Sequence, residues 1–135
     1  MIRVLICDDQ EIVAHGIRMI VSSAPDIEVS GIAHNGAKAL ELMGERKPDL
    51  VMMDLQMPIM NGVYATQQIR VQYPDVSVLV LTTFKDDDWL FDAVRAGAAG
   101  YLLKDTPPDE LIAAVRSTVN GGNPVDDSVA GTLLR

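Results

Sequence analysis

The chain has 135 residues, of which 48% are hydrophobic and 22% charged, a composition typical of one globular domain rather than of a disordered chain or a collagen-like repeat. Its 11 Lys and Arg residues against 19 Asp and Glu residues give a net charge of −8, which disfavours a free-standing nucleic-acid binder because such proteins are usually basic. A single cysteine, Cys7, excludes an internal disulfide and is typical of a reducing compartment. No run is apolar for long enough to form a signal peptide or a membrane span, so we expect a cytoplasmic protein with no membrane partner.

Short β-branched runs alternate with amphipathic segments, and this alternation predicts a parallel α/β sheet flanked by helices. In chain order, five strands are predicted at residues 3–7, 27–33, 50–53, 76–81 and 100–103. The first, third and fourth strands are apolar nearly throughout, which is typical of central strands covered on both faces. The second strand alternates more and therefore suits an edge of the sheet.

Apolar residues at helical spacing lie between the strands and predict five helices. They fall at residues 12–20, 39–47, 63–73, 86–96 and 106–119. The acidic run at 86–88 opens the fourth helix, because negative charge favours a helix N-terminus, and Gly97 ends it. In this helix we expect Phe91 to point inward and Trp89 to be partly exposed. After a break at 120–124, Val129 and Leu133 stand four apart, as in a short terminal helix.

Polar side chains follow the predicted strands at their carboxyl ends, where open parallel sheets bind ligands. From the first strand to the fifth, these are Asp8 and Asp9, Asp54, Thr82 and Thr83, and Lys104. Three crowded carboxylates repel one another unless a cation joins them, and such hard oxygen ligands suit Mg²⁺. A lysine and a hydroxyl can hold phosphoryl oxygens, and a carboxylate beside them can act as a nucleophile. This rim therefore predicts Mg²⁺-assisted phosphoryl transfer to an aspartate.

Together, these residues resemble the signature of a response-regulator receiver domain of two-component systems. The signature consists of Asp8-Asp9, Asp54 with Pro58 and Gly62 after it, Thr82, and Lys104 with Tyr101 three positions before it. The runs 80–84 and 95–105 are similar to those of the LuxR/NarL-type transcriptional regulators, which carry a C-terminal helix-turn-helix. The resemblance implies a flavodoxin-like (βα)5 fold, a three-layer sandwich whose five-stranded parallel sheet has the order 2-1-3-4-5.

The resemblance also implies the chemistry of the domain. Asp54 accepts a phosphoryl group from a sensor histidine kinase, and Lys104 binds that group. Thr82 then swings toward it and Tyr101 changes rotamer in concert, which biases a surface formed by the fourth helix, the fifth strand and the fifth helix. The domain is thus a phosphoacceptor with self-catalysed phosphoryl transfer and dephosphorylation, not an enzyme acting on other substrates.

A Mg²⁺ site is implied at the same place. Asp9, Asp54 and the backbone carbonyl of Gln56 bind the ion directly, whereas Asp8 acts through water or positions the ion. Pro58 and Gly62 shape the loop after the phosphoacceptor. Phe84, two residues after Thr82, cannot orient an attacking water by hydrogen bonding, which favours slow self-dephosphorylation.

The implied organisation is a receiver domain at residues 1–121 and a linker at 122–135 that leads to a C-terminal helix-turn-helix domain outside this chain. DNA is therefore a partner only through that missing domain. We expect phosphorylation to promote a homodimer through the first and fifth helices.

Two other functions remain open from the residues alone. One is a phosphate-independent dimerisation module of a transcription factor, although the complete set of acids, hydroxyl and lysine disfavours it. The other is an aspartate-nucleophile phosphatase, but such enzymes commonly place a second acid two residues after the first, where Gln10 stands here. His15 and His34 are interpreted as ordinary surface or helix positions. The methionines at 52, 53, 57 and 60 are interpreted as core or gap-filling residues rather than as a soft-metal site.

Overall fold

The computed structural model describes residues 1–83 and 87–134, except for the side chains of residues 87 and 88. Phe84, to which slow self-dephosphorylation was attributed, and Asp86, at the predicted start of the fourth helix, lie outside the described residues. The strands are β1 (Ile2–Cys7), β2 (Ile27–Ala33), β3 (Leu50–Met53), β4 (Ser77–Thr82) and β5 (Gly100–Leu103). The helices are α1 (Glu11–Ser22), α2 (Gly36–Glu45), α3 (Gly62–Gln72), α4 (Asp87–Ala96), α5 (Pro108–Val119) and α6 (Asp127–Leu133). None of the helices in these ranges is both long and apolar enough to cross a membrane.

The sheet confirms the predicted topology. Its strands run in the order β2-β1-β3-β4-β5, and every pairing between neighbours is parallel. The three most apolar strands, β1, β3 and β4, occupy the centre, and the alternating strand β2 lies at an edge, as predicted. The predicted bounds of the strands differ from the observed ones by at most one residue.

Two apolar layers enclose the sheet because successive strand residues point to opposite faces. On β1, Val4 and Ile6 join the cluster under α1 and α5, whereas Leu5 joins the cluster under α2, α3 and α4. These side chains are at most 2% exposed. Burying a side chain of this size contributes about 1.5–3 kcal/mol. The core therefore holds the carboxyl ends of the central strands in fixed positions.

Capping side chains determine where two helices near those strand ends begin. The Asn35 side chain accepts a hydrogen bond of 2.8 Å from the Lys38 backbone N–H at the start of α2. The Asn61 side chain does the same for Tyr64 at 2.9 Å at the start of α3. Caps of this kind stabilise a helix by about 1 kcal/mol. Each cap thus ties the loop that precedes its helix to a defined position.

The orientation of α4 corrects one prediction. Leu90 is 1% exposed and Ala93 is fully buried, so these two residues, three apart on the helix, carry its inward face. Phe91 is only partly buried and lies outside the core clusters, so the expectation that it points inward was wrong. Trp89 is partly exposed, as expected, and packs at the margin of the core. Gly97 follows the helix with φ of +97°, a conformation that favours glycine.

The segment after α5 packs against the sheet edge. The Tyr101 N–H donates to the Pro124 carbonyl and the Asp126 N–H donates to the Tyr101 carbonyl, both at 2.9 Å. These two hydrogen bonds form an isolated parallel β-bridge between Tyr101 and Val125, beside β5. In α6, Val129 is fully buried against the core. The short terminal helix is therefore present, whereas the domain boundary at residue 121 stays a prediction.

Candidate functional site

A cavity of about 260 Å³ opens at the carboxyl edge of the sheet, beside the point between β1 and β3 where the strand order reverses. Parallel α/β sheets bind their ligands at such points. The cavity is lined by Asp9, Gln10, Asp54, Gln56, Thr82, Thr83 and Lys104. Five of the predicted site residues thus share one cavity.

Three carboxylates form a cluster at this cavity. Asp8, Asp9 and Asp54 each offer an oxygen, and these oxygens lie within 4.8 Å of one another. Asp8 is 1% exposed and Asp54 is 8% exposed, whereas Asp9 faces solvent. The buried Asp8 Oδ2 makes no hydrogen bond within the described part of the chain. Hard oxygen donors with one open side fit Mg²⁺, which keeps several waters when it binds carboxylates.

Lys104 supplies the positive charge of the cluster. Its Nζ lies 2.8 Å from Asp8 Oδ2 and 3.3 Å from Asp54 Oδ2, and its side chain is 10% exposed. The first of these is a charge contact that lacks hydrogen-bond geometry. The Lys104 backbone N–H donates to the Thr82 carbonyl at 2.9 Å, which holds the lysine beside the end of β4. One ammonium thus faces three carboxylates, and the site retains an excess of negative charge.

The Asp54 carboxyl is a weaker acid in this site than an exposed aspartate is. Burial raises the pKa of the Asp54 carboxyl to about 6, because Lys104 lowers it by less than burial and the Asp8 charge together raise it. The unfolded carboxyl has a pKa of 3.8, so ionising Asp54 costs the folded state free energy in the absence of a metal ion.

Asp54→Asn should therefore stabilise the folded protein at pH 8 in a chelating buffer, by about 1–2 kcal/mol after allowing for solvent at the cavity mouth. Because the folded-state pKa is raised, the parent loses stability as pH rises through about 6 and regains it below the unfolded value of 3.8. The advantage of the variant should vanish near pH 4, where Asp54 is protonated in the parent. Urea unfolding of both proteins across this pH range measures the difference; an equal difference at both pH values would contradict the prediction.

The loop after β3 approaches the first turn of α3 closely. The Gly62 N–H donates to the Leu55 carbonyl at 2.8 Å, and a Cβ added to Gly62 would lie 1.9 Å from the Asp54 carbonyl oxygen. Pro58 is exposed and lies outside the cavity, and its carbonyl accepts from the Met60 N–H at 2.7 Å. Ile59 between them has φ of 67°, an uncommon value for a β-branched residue. Hydrogen bonds within the loop and its close contact with Gly62 thus restrict the backbone that follows Asp54.

Thr82 and Tyr101 lie at different depths. Thr82 lines the cavity and is 7% exposed. Tyr101 lies outside the cavity and is 6% exposed, and its single hydroxyl proton is shared between the carbonyls of Ala98 at 3.1 Å and Ala93 at 3.3 Å. Burial raises the pKa of Tyr101 to about 12. The structure therefore places the Tyr101 ring inward, linking β5 to α4.

His34 is a residue that sequence reasoning missed. The sequence predicts an ordinary surface or helix position for it, but its Nδ1 lies 2.9 Å from the Asp8 carbonyl oxygen, next to the acidic cluster. The signal available in the sequence was its position directly after the second strand, since the predicted order sets that strand beside the first. The methionines at 52 and 53 are fully packed in the core, as interpreted.

The chain is similar in sequence to known proteins. The family model described as the response regulator receiver domain matches residues 4–116. The transcriptional regulatory protein LiaR of Bacillus subtilis is 41% identical over 134 residues, which are 99% of this chain and 64% of LiaR. The chain spans 55%, 61% and 64% of the length of three such curated relatives.

Solved structures agree with this match. A LuxR-family two-component response regulator from Aurantimonas superposes with a TM-score of 0.91 at 30% identity, over 98% of this chain and 94% of that one. The signal receiver domain of NarL from Mycobacterium tuberculosis superposes with a TM-score of 0.84 at 32% identity, over 89% of this chain and 97% of that one. The chain therefore belongs to the response regulator receiver domain family, among regulators of the LuxR/NarL type.

Proposed function

We propose that Asp54 accepts a phosphoryl group from the phosphohistidine of a sensor kinase in a Mg²⁺-dependent reaction in the cytoplasm. The observation that carries this proposal is the position of the Asp54 carboxylate, 3.3 Å from the Lys104 ammonium and within 4.8 Å of two further carboxylates, in a cavity that Thr82 also lines. An Asp54 oxygen attacks phosphorus, so that an O–P bond forms while the P–N bond of the phosphohistidine breaks. The departing imidazole takes a proton from solvent.

The groups around Asp54 bind the phosphoryl group and the metal ion. Lys104 is the ammonium that neutralises a phosphoryl oxygen, and it moves from its contact with Asp8 to do so. Asp9, Asp54 and the Gln56 carbonyl would hold Mg²⁺, with Asp8 acting through water. When bound, the ion supplies charge that neutralises the phosphoryl oxygens. Two observations support this assignment: Asp9 is exposed to solvent, and the buried Asp8 Oδ2 accepts no hydrogen bond within the described residues.

Phosphorylation then acts on the switch residues. The phosphoryl group carries about −1.5 to −2 charges, which replace the single negative charge of the Asp54 carboxylate, and it brings strong acceptor oxygens. Thr82, at the cavity wall, donates to the phosphoryl group, and Tyr101 follows because its ring lies between β5 and α4. In this proposal the affected surface is formed by α4, β5 and α5.

Incubation with Mg²⁺ and a small acyl phosphate tests the acceptor. Intact mass should show one phosphoryl adduct on the parent and none on Asp54→Ala. Asp109→Ala, which removes an exposed carboxylate on α5, serves as the matched control and should retain the adduct. An adduct on Asp54→Ala would contradict the proposal by placing the acceptor elsewhere. No adduct on the parent would contradict it too and would favour a phosphate-independent dimerisation module.

We further propose that phosphorylation promotes a homodimer, and that DNA is bound by a helix-turn-helix domain following the receiver at 1–121 and its linker at 122–135. On α1, Ile12 is 89% exposed and Met19 is 76% exposed, and α1 packs beside α5, where Val119 is 36% exposed. These apolar side chains are the surface that we assign to the dimer. Sedimentation should show a dimer after phosphorylation and a monomer before it; monomers in both states at high concentration would overturn the assignment.

A further inference from the structure

The imidazole of His34 reaches from the end of β2 to the end of β1. Its Nδ1 lies 2.9 Å from the Asp8 carbonyl oxygen, and its Nε2 lies 3.9 Å from Glu11 Oε1. A carbonyl oxygen can only accept a hydrogen bond, so Nδ1 carries a proton and donates it. The imidazole therefore binds the peptide group that joins Asp8 to Asp9.

The orientation of that peptide group brings both side chains to the same side of the chain. Neighbouring residues in an extended strand point to opposite sides, yet Asp8 and Asp9 both bring a carboxylate oxygen into one cluster with Asp54. The chain must turn between them and stay turned, although the three like charges repel one another. The orientation of the Asp8–Asp9 peptide thus decides whether the cluster exists.

Two further polar groups of Asp8 are held by backbone hydrogen bonds. Its N–H donates to the Ala33 carbonyl at 2.9 Å, and its Oδ1 accepts from the Gln10 N–H at 2.9 Å. His34 is the side chain that holds the carbonyl. Because Ala33 and His34 are consecutive, the end of β2 forms hydrogen bonds with both the N–H and the carbonyl of Asp8.

We infer that His34 is a positioning residue for divalent-cation binding, which holds the Asp8–Asp9 peptide so that both carboxylates converge on Asp54. This inference rests on the proposed function, because it assigns His34 a role at the proposed metal site. His34 does not line the cavity, and its Nε2 faces Glu11. It acts on the cation through the acids and not as a ligand.

Two substitutions of similar polarity separate this role from simple surface packing. In His34→Asn, the side-chain amide nitrogen occupies the place of Nδ1 and can still donate to the Asp8 carbonyl. In His34→Gln, the amide nitrogen reaches the place of Nε2 and leaves that carbonyl without its donor. His15→Ala removes an exposed histidine of α1 and is the matched control.

The experiment titrates each protein with Mn²⁺, follows free Mn²⁺ by electron paramagnetic resonance, and then competes the bound ion with Mg²⁺. We expect His34→Gln to weaken Mn²⁺ binding about tenfold, the usual scale for losing a group that orients a metal ligand. His34→Asn and His15→Ala should bind as the parent does. Melting temperatures without metal check that all four proteins are folded.

The outcomes distinguish failure of the proposed metal site from failure of the role assigned to His34. If the parent binds no Mn²⁺, the proposed metal site fails and the inference fails with it. If the parent binds Mn²⁺ and His34→Gln binds equally well, the metal site stands and the role of His34 is overturned. Equal weakening in His34→Asn and His34→Gln would likewise overturn it, because the donor at Nδ1 would then be irrelevant.

Discussion

Replacing Gly62 with alanine is expected to lower the free energy of unfolding by about 3 kcal/mol and to abolish phosphorylation of the protein that remains folded. The added Cβ would lie 1.9 Å from the Asp54 carbonyl oxygen and 2.8 Å from Leu55 Cα. Both are backbone atoms, which cannot turn aside as the end of a side chain can. The only relief is a shift of the loop, and that loop carries the phosphoacceptor.

Gly16 offers the matched control for this experiment. It lies exposed in α1, and a Cβ placed there meets nothing within 4 Å. Gly16→Ala should therefore raise stability by about 0.5–1 kcal/mol, because alanine is the better helix former. Urea unfolding and intact mass after acyl phosphate treatment measure both variants. A Gly62→Ala protein with parental stability and a parental adduct would show that the close approach is not needed.

Replacing Lys104 with methionine is expected to have the second large effect. Without the ammonium, the buried carboxylates of Asp8 and Asp54 face each other uncompensated, and losing one partner of such a pair costs about 3–5 kcal/mol. The loss should appear in a chelating buffer at pH 8 and shrink when Mg²⁺ is added, since a cation in the acidic cluster replaces the lost charge. Phosphorylation should remain absent with Mg²⁺, because no ammonium is left to hold the phosphoryl oxygen.

Lys47→Met controls for the loss of a lysine as such. Lys47 forms an ion pair with Asp75 in which both side chains are more than half exposed. Exposed pairs of this kind contribute about 0–1 kcal/mol, so the control should unfold nearly as the parent does. Urea unfolding with and without Mg²⁺ provides the comparison. Equal losses in the two variants, or a Lys104→Met protein that accepts phosphate normally, would count against the assigned role of Lys104.

The sheet and most of the site could be predicted because both depend on local pattern. Apolar runs such as 50–53 identify central strands, and whatever follows a parallel strand lies at one edge, which brought Asp54 and Lys104 to the same cavity. The rotation of α4 about its axis was predicted wrongly. One residue on a helix corresponds to a rotation of about 100°, and Leu90 occupies the inward position expected of Phe91.

Contacts between distant loops could not be read from the pattern. The hydrogen bond from His34 to Asp8 joins residues 26 apart, and a lone histidine after a strand carries no periodicity. The atoms that make Gly62 necessary are likewise visible only when the loop is built, although the resemblance had marked the residue as loop-shaping. Close packing between loops depends on three-dimensional distances of a few ångströms, which composition and spacing do not contain.

The bridge between Tyr101 and residues 124–126 limits how copies of this protein can associate. β5 is the outer strand on its side of the sheet, and an exposed edge strand is a template on which another chain can add a strand and start an aggregate. The segment occupies both backbone groups of Tyr101, and Gly100 permits its approach, since a Cβ there would lie 2.7 Å from the Pro124 carbonyl oxygen. Pro124 itself has no N–H to offer an incoming strand. Residues 124–126 therefore block intermolecular β-sheet growth at Tyr101 on this edge.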